Sequence, residues 1–432
     1  MEEKKLPLEG IRVCDFSWYA AAPVATKCLA DFGAEVIKME YSAHPDLIRI
    51  AMPQAPGKEG DLGAGGWFNN ENSSKLCLGL NLTHPRAKEI YDKLILASDI
   101  VVENFSPAVK ERMGLNYEDY VKLKPDIIWV DQPMQGLIGP YKYTPGFGAI
   151  ITPLGGLSHL SGFPHRPPVG TGTNYTDYVI NPGHLAIAVI AALRYRKLTG
   201  QGQQIVMAQL GSAVSVLETA ILDYTVNNRT PPRTGNRIPY AAPHGCYRCK
   251  GEDRDCVYYN MYSVPHEIPG RKDDRWCVIA VFSDEEWEAF CDVISNPPWT
   301  RDRKFSTLLG RKENEDELDS LVQEWTIQRS PEEVTMLMQQ AGVSAGVVQD
   351  AEDILVHDPQ LRARGYYVYL DHSVTGHSAY DGIAFKLSET PGKLTRPAPR
   401  IGEHSEYVCK EILGMAEKEI NDYLVEGVLE VG

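Results

Sequence analysis

One residue in this chain whose type and place admit covalent chemistry is Asp177. It lies in residues 169–203, which run from a polar loop containing Gly170 and Gly172 into a long apolar helix closing on Thr199-Gly200-Gln201-Gly202-Gln203. Asn181-Pro182 can supply an N-cap and a first helical residue. The spacing then puts Asp177 just ahead of a helix N-terminus, where the dipole favours an ionised acid. Such an acid can be an ordinary capping residue. It can also be a nucleophile, because a carboxylate with a reference pKa of about 3.9 is ionised at neutral pH and needs no general base. Attack on an activated acyl group gives a mixed anhydride. That intermediate demands a dry site and N–H donors for the developing oxyanion, and Gly170 and Gly172 would allow close approach. A second reactive group is Cys246-Tyr247-Arg248-Cys249 followed by Cys256 and His266. C-x-x-C with a further Cys and His is a conceivable zinc set. Cys246 and Cys249 fall in a predicted strand, however, and the spacing matches no established finger, so no metal is assigned.

The elements that must position Asp177 read as an open α/β sheet. Residues 11–16 alternate as a strand, 23–32 as a helix stopped by Gly33, and 35–40 as a second strand, which makes a βαβ unit. The turn Ser17-Trp18-Tyr19-Ala20-Ala21-Ala22 has no glycine, which argues against a dinucleotide site of the G-x-G-x-x-G kind. Strand and helix go on alternating: strands at 77–82, 100–105, 127–132 and 203–210, helices at 85–97, 107–113, 147–160, 182–197 and 212–226. The polar, basic, turn-rich residues 227–238 read as a linker. The expected domains are therefore 1–226 and 343–432, together forming a large domain, and a smaller α+β domain at 239–342. In the smaller one Ser283-Asp284-Glu285-Glu286 and Ser330-Pro331-Glu332-Glu333 predict capped helices.

Composition narrows the function classes. A formal net charge of −15 disfavours a nucleic-acid partner or an anionic membrane surface. The longest purely apolar run, residues 185–193, is too short to span a bilayer. Nine scattered cysteines and the start Met1-Glu2-Glu3-Lys4-Lys5, which lacks a basic-then-apolar order, lead us to expect a reducing, cytoplasmic setting.

Eight landmarks in order give the chain a specific resemblance. They are Leu8-Glu9-Gly10-Ile11-Arg12-Val13, Asp31-Phe32-Gly33-Ala34-Glu35-Val36-Ile37-Lys38-Met39-Glu40, Val102-Glu103-Asn104-Phe105, Arg112-Met113-Gly114-Leu115, Asp177 with its helix, Thr199-Gly200-Gln201-Gly202-Gln203, Asp358-Pro359-Gln360-Leu361 and Ile401-Gly402-Glu403-His404. On these the sequence resembles the class III CoA-transferases, the formyl-CoA transferase family, nearly end to end. The resemblance implies a Rossmann-like large domain built from both chain termini, and two subunits threaded through each other as an interlocked homodimer or a heterodimer with a homologous subunit. It implies Asp177 as nucleophile, carrying acyl-anhydride and aspartyl-CoA thioester intermediates. It implies CoA contacts from Asn104, Arg112, Lys38 and Lys75. CoA esters are then substrates, and no cofactor is expected.

Departures from the family pattern shape the expected substrate. Ala20 stands where formyl-CoA transferase has glutamine, and Trp18, Tyr19, Tyr175 and Tyr178 flank the segments expected to face the acyl group. Taken over the whole chain, the resemblance implies a bulky, aryl-substituted dicarboxylic acceptor such as benzylsuccinate, with succinyl-CoA as donor, and aromatic walls suit an aryl acid. The glycine-rich gate of the family is missing at residues 238–245, and an insertion of roughly twenty residues follows Cys249. Two alternatives stay open. Acyl-CoA racemases share the resemblance but use a G-H-D segment, where this chain has Gly146-Phe147-Gly148 without histidine or acid. A non-catalytic partner subunit would have no need to keep Asp177.

Overall fold

The structure is a computed structural model describing residues 5–51, 53–251, 255–259, 265–272 and 274–432. Short runs of Val, Ile, Leu and Cys make the strands β1 (Arg12–Asp15), β2 (Glu35–Glu40), β3 (Leu76–Leu80), β4 (Ile100–Glu103), β5 (Ile128–Asp131) and β6 (Gln203–Val206). Five of the six are buried on both faces, as a parallel sheet covered on each side requires. Adjacent residues serve opposite cores. Cys14, Ile37, Val101 and Trp129 face one cluster, while Val13, Val36, Val102 and Val130 face the other. The helices in this part are α1 (Ala21–Asp31), α2 (Gly66–Glu71), α3 (Ala87–Leu96), α4 (Pro107–Met113), α5 (Tyr117–Leu123), α6 (Gly148–Leu154), α7 (Leu157–Leu160) and α8 (Asn181–Thr199), of which α3, α4 and α5 pack on the first cluster and α1 and α8 on the second.

The six strands run parallel in the order β3-β2-β1-β4-β5-β6, and Leu429–Glu430 pairs antiparallel with β3 at the edge. This is the doubly wound order. Its strand sequence reverses between β1 and β4, and the crevice beyond the carboxyl ends of those two strands is where such folds place ligands.

The chain divides into two compact units. One comprises Met1–His159, Val169–Pro231 and Gln360–Gly432, the other Leu160–Pro168 and Pro232–Pro359. The second carries β7 (His244–Arg248), β8 (Asp255–Tyr259), β9 (Pro265–Lys272), β10 (Trp276–Ala280) and β11 (Ser344–Val347), with β11-β10-β7 forming an antiparallel sheet. Both expected caps form there: Ser283 accepts the Glu286 N–H and Ser330 accepts the Glu333 N–H.

Several expectations are corrected. The return to a large-domain pattern at 343 comes later, because β11 pairs with β10. Beyond it, β12 (Tyr367–His372) and β13 (Gly376–Asp381) form their own hairpin, and only Leu429–Glu430 rejoins the large sheet. The helix expected over 147–160 breaks at Gly155 and at Gly156, whose φ is +87°, giving α6 and α7. The turn Thr176–Ile180 runs directly into α8, so Thr176–Thr199 is a 24-residue helix containing an 18-residue window of mean hydropathy 1.2. That meets the length and apolarity for crossing a membrane, which the short apolar run hid. In the fold Leu185, Val189 and Ala192 of this helix are buried with Ala25 and Leu29 of α1. Cys256 and His266 lie outside the residues whose side chains are described.

Candidate active site

Three loops and one helical turn meet beyond the carboxyl ends of β1 and β4. Trp18, Tyr19 and Ala21 come from the β1–α1 turn, and Asn104, Phe105, Ser106 and Pro107 from the turn after β4. The loop after β5 adds Met134, Lys142 and Phe147. With Asp177 and Gln209 they line a cavity of about 180 Å3. Among the described residues of this lining, Asp177 is the one carboxylate and Lys142 the one cation, and none is a histidine.

The β1 turn is held from three sides. Tyr19 has φ +64°, the left-handed region that a large side chain rarely occupies. Its N–H donates to both carboxylate oxygens of Asp46, each at 3.1 Å. Asn104 grips Trp18 twice, accepting its N–H at 3.0 Å and donating to its carbonyl at 2.7 Å. The Lys38 ammonium donates to the Ser17 carbonyl. Left-handed backbone at such a residue costs on the order of 1 kcal/mol and persists where the surroundings over-determine it. Here three consecutive peptide units are fixed by side chains from β2, from the following loop and from the end of β4.

Behind the turn lies a dry charge network. Lys38 pairs with Asp46 at 3.1 Å, Lys75 with Asp15 at 3.3 Å, and Arg49 with Glu40 at 2.8 Å, all with fully buried side chains. Burial pushes the Lys75 ammonium down to about 8, even with Asp15 beside it. For Asp15 burial acts upward, but Lys75 and Lys38 outweigh it and hold the carboxyl below its ordinary range. These positions correct the expected CoA contacts: Lys38 and Lys75 have no exposed surface. Strand alternation turns Lys38 into the fold, where it and Lys75 shape the turn.

Asp177 lies inside a wide helical turn, Thr176–Ile180, rather than ahead of the helix. Such turns insert one residue into the α-helical ladder and recur at functional sites. The carboxyl group is only 4% exposed as part of its residue. Its Oδ2 accepts the Gly148 N–H at 2.9 Å, and its Oδ1 lies 3.5 Å from the Thr176 hydroxyl. Burial pushes its pKa up to about 6, against the pull of the Gly148 N–H. Gly148 is required at this spot, since a Cβ there would lie 2.6 Å from Asp177 Cγ.

The other expected site residues separate. Trp18 and Tyr19 line the cavity and Asn104 does so while clamping the turn. Ala20 is buried at the start of α1, and Ala21 takes the lining position. Tyr175 is 40% exposed and outside the lining. Tyr178 points away to a second cavity, its ring 6.3 Å from that of Trp67. Consecutive helical residues diverge by roughly 100°, so the turn that delivers Asp177 carries Tyr178 elsewhere. Arg112 is exposed in the last turn of α4, whose first residue, Pro107, lines the cavity. Gly170 and Gly172 have nothing within 4 Å of a Cβ position and face a separate groove. Sequence reasoning missed Gly148, Phe105, Met134, Lys142, Phe147 and Gln209. The Phe147 ring stacks on Tyr19 at 5.9 Å, interplanar angle 2°. The available signal was the Gly146-Phe147-Gly148 segment, noticed for the groups it lacks.

A buried carboxylate, an apolar and aromatic cavity wall and a single cation suit acyl chemistry on a small acid. Comparison with known proteins agrees. The family described as CoA-transferase family III matches residues 8–267 and 262–405. The chain is 31% identical over 420 residues to the succinyl-CoA–L-malate CoA-transferase beta subunit of Chloroflexus aurantiacus, covering 96% of each chain. It is 28% identical over 414 residues to the succinyl-CoA–D-citramalate CoA-transferase of the same organism, again covering 96% of each. The crystal structure of a CAIB/BAIF family protein from Brucella suis superposes with a TM-score of 0.82 at 25% identity, covering 95% of this chain and 100% of that one. The sheet order, the cavity at its switch point and a sequence match over almost the whole chain converge, and the chain belongs to the class III CoA-transferases.

Proposed function

We propose that this enzyme moves CoA from succinyl-CoA to a second dicarboxylic acid through Asp177. The observation that carries the proposal is the single carboxylate, buried and poorly solvated, in the cavity at the switch point. Ionised Asp177 attacks the thioester carbonyl. The C–S bond breaks, CoA leaves as thiolate, and an aspartyl–succinyl anhydride remains. The thiolate then attacks the aspartyl carbonyl, which frees succinate and leaves an Asp177–CoA thioester. The acceptor carboxylate repeats the steps in reverse and departs as the new acyl-CoA, so no proton or water is consumed. Trp18, Tyr19, Phe105, Met134 and Phe147 keep the anhydride from bulk solvent.

The acceptor we favour is aryl-substituted, as benzylsuccinate is, because the wall offers four aromatic rings and ring contacts contribute about 1 kcal/mol each. A second reading, a hydroxylated acceptor such as malate or citramalate, is supported by the activities named for the two Chloroflexus relatives. With succinyl-CoA as donor, benzylsuccinate, L-malate, citramalate and oxalate at equal concentration separate the cases by kcat/KM. Oxalate in first place would defeat both readings while leaving CoA transfer intact.

CoA itself would extend along α4, with Arg112 meeting a phosphate at the surface. An exposed charge–phosphate contact is worth roughly 1 kcal/mol. Arg112→Ala should therefore raise KM for succinyl-CoA about fivefold and leave kcat nearly unchanged; an unaltered KM would remove Arg112 from the site. We also propose an interlocked dimer, with itself or a homologous subunit. Sedimentation of a folded monomer on dilution would exclude it.

A further inference from the structure

The cavity holds two groups that the covalent steps leave unused. The first is Lys142, the one cation of the lining. Its ammonium lies 4.6 Å from the Tyr143 ring centroid and is in none of the ion pairs found among the described residues. Its loop is held in place, since the Tyr143 hydroxyl donates to Glu111 of α4 at 3.2 Å and the Thr144 N–H donates to the Tyr141 carbonyl at 2.9 Å. The second is Trp18, which lines the cavity and whose indole N–H is buried without a hydrogen-bond partner. A buried donor without an acceptor is costly and calls for a partner, which a bound ligand can supply.

What the two groups lack is an anion. In a succinyl group the free carboxylate carbon stands about 4 Å from the thioester carbon, by ordinary bond lengths. Once Asp177 is within bonding reach of that thioester carbon, the free carboxylate must be inside the same small cavity. There it meets the negative charge of Asp177, in a chain of net charge −15. A carboxylate can stay in that place only beside a compensating cation and donor. The geometry points to Lys142 and the Trp18 indole N–H as the receptor for the distal carboxylate, the pair that selects dicarboxylic over monocarboxylic acyl groups. This assignment rests on the dicarboxylic substrate class proposed above.

The test is the ratio of kcat/KM for succinyl-CoA to that for butyryl-CoA, whose chain ends in a methyl group instead of the carboxylate. Lys142→Met should lower the ratio about 30- to 100-fold, as loss of a charged hydrogen bond predicts. Trp18→Phe, which keeps an aromatic ring and removes the N–H, should lower it about tenfold. Lys142→Arg should restore most of the ratio. If the wild type does not favour succinyl-CoA, the dicarboxylic reading fails and the assignment falls with it. If the wild type favours it and both Lys142→Met and Trp18→Phe keep the ratio within threefold, the assignment alone is overturned.

Discussion

Asp177→Asn is expected to abolish CoA transfer while leaving the fold at least as stable as the wild type. An amide is a poor nucleophile, so neither anhydride nor thioester can form, and the loss should be 10³-fold or more. The stability half follows from linkage. The Asp177 carboxyl has its pKa raised by burial to about 6 in the folded chain. An acid with a raised folded pKa weakens the fold once pH exceeds that value, and the penalty vanishes below the unfolded value near 4. At two pKa units this is roughly 3 kcal/mol at neutral pH, which asparagine escapes because it never ionises. The wild type should gain stability from this group as pH falls from about 7 to 4, and Asp177→Asn should not. Activity should move the other way, since the nucleophile is the ionised form: kcat/KM should fall about tenfold per unit below pH 6. Residual transfer at a tenth of the wild-type rate, with deamidation excluded by mass, would end the nucleophile assignment. A mass increase on the Asp177 peptide after incubation with succinyl-CoA would support it directly.

Gly148→Ala is expected to be the second most damaging change, although it adds one methyl group. That methyl would lie 2.6 Å from Asp177 Cγ, well inside contact distance. The carboxylate must then move by about 1 Å and give up the 2.9 Å bond from the Gly148 N–H. Misplacing a reacting group by 1 Å costs about a hundredfold in rate. Folding should be spared, because Gly148 is the first residue of α6, lacks a left-handed φ, and alanine is a better helix former by about 1 kcal/mol. The control is Gly183→Ala in α8, where a Cβ meets nothing within 4 Å. We expect Gly148→Ala to lower kcat about a hundredfold with KM within threefold, and Gly183→Ala to retain full activity. Equal activity in the two variants would show that the carboxylate has room the structure does not give it.

Alternation between buried strands and amphipathic helices made the large sheet legible in the sequence, and β2 and α4 fall at their expected residues. Asp177 stands out through resemblance, although it lies inside a helical turn and not ahead of the helix as its spacing suggests. What escaped depends on direction, which residue type does not encode. Lys38 and Lys75 are expected from the resemblance to meet CoA, yet strand pleat and a loop turn them into a buried network with Asp46 and Asp15. Tyr178 adjoins Asp177 in sequence and leaves it by the helical rotation. Lys142, Phe147 and Gly148 belong to a loop and a short helix whose arrival at Asp177 depends on a pairing 29 residues apart, the Gly148–Asp177 bond, which no local pattern announces.

The antiparallel strand Leu429–Glu430 ties the two ends of biosynthesis together. Glu430 pairs with Gly79 and accepts the Ser42 N–H and hydroxyl, each at 2.6 Å. A Cβ at Gly79 would meet the Glu430 side chain, so the closing strand lies directly on the sheet. During translation at about 5–20 residues per second, the roughly 350 residues between these partners take on the order of 20–70 s to emerge. For that period the β3 edge, with its unpaired N–H and C=O groups, is open to any other strand. A nascent chain in a crowded polysome would have that long to meet a neighbour with its edge still open.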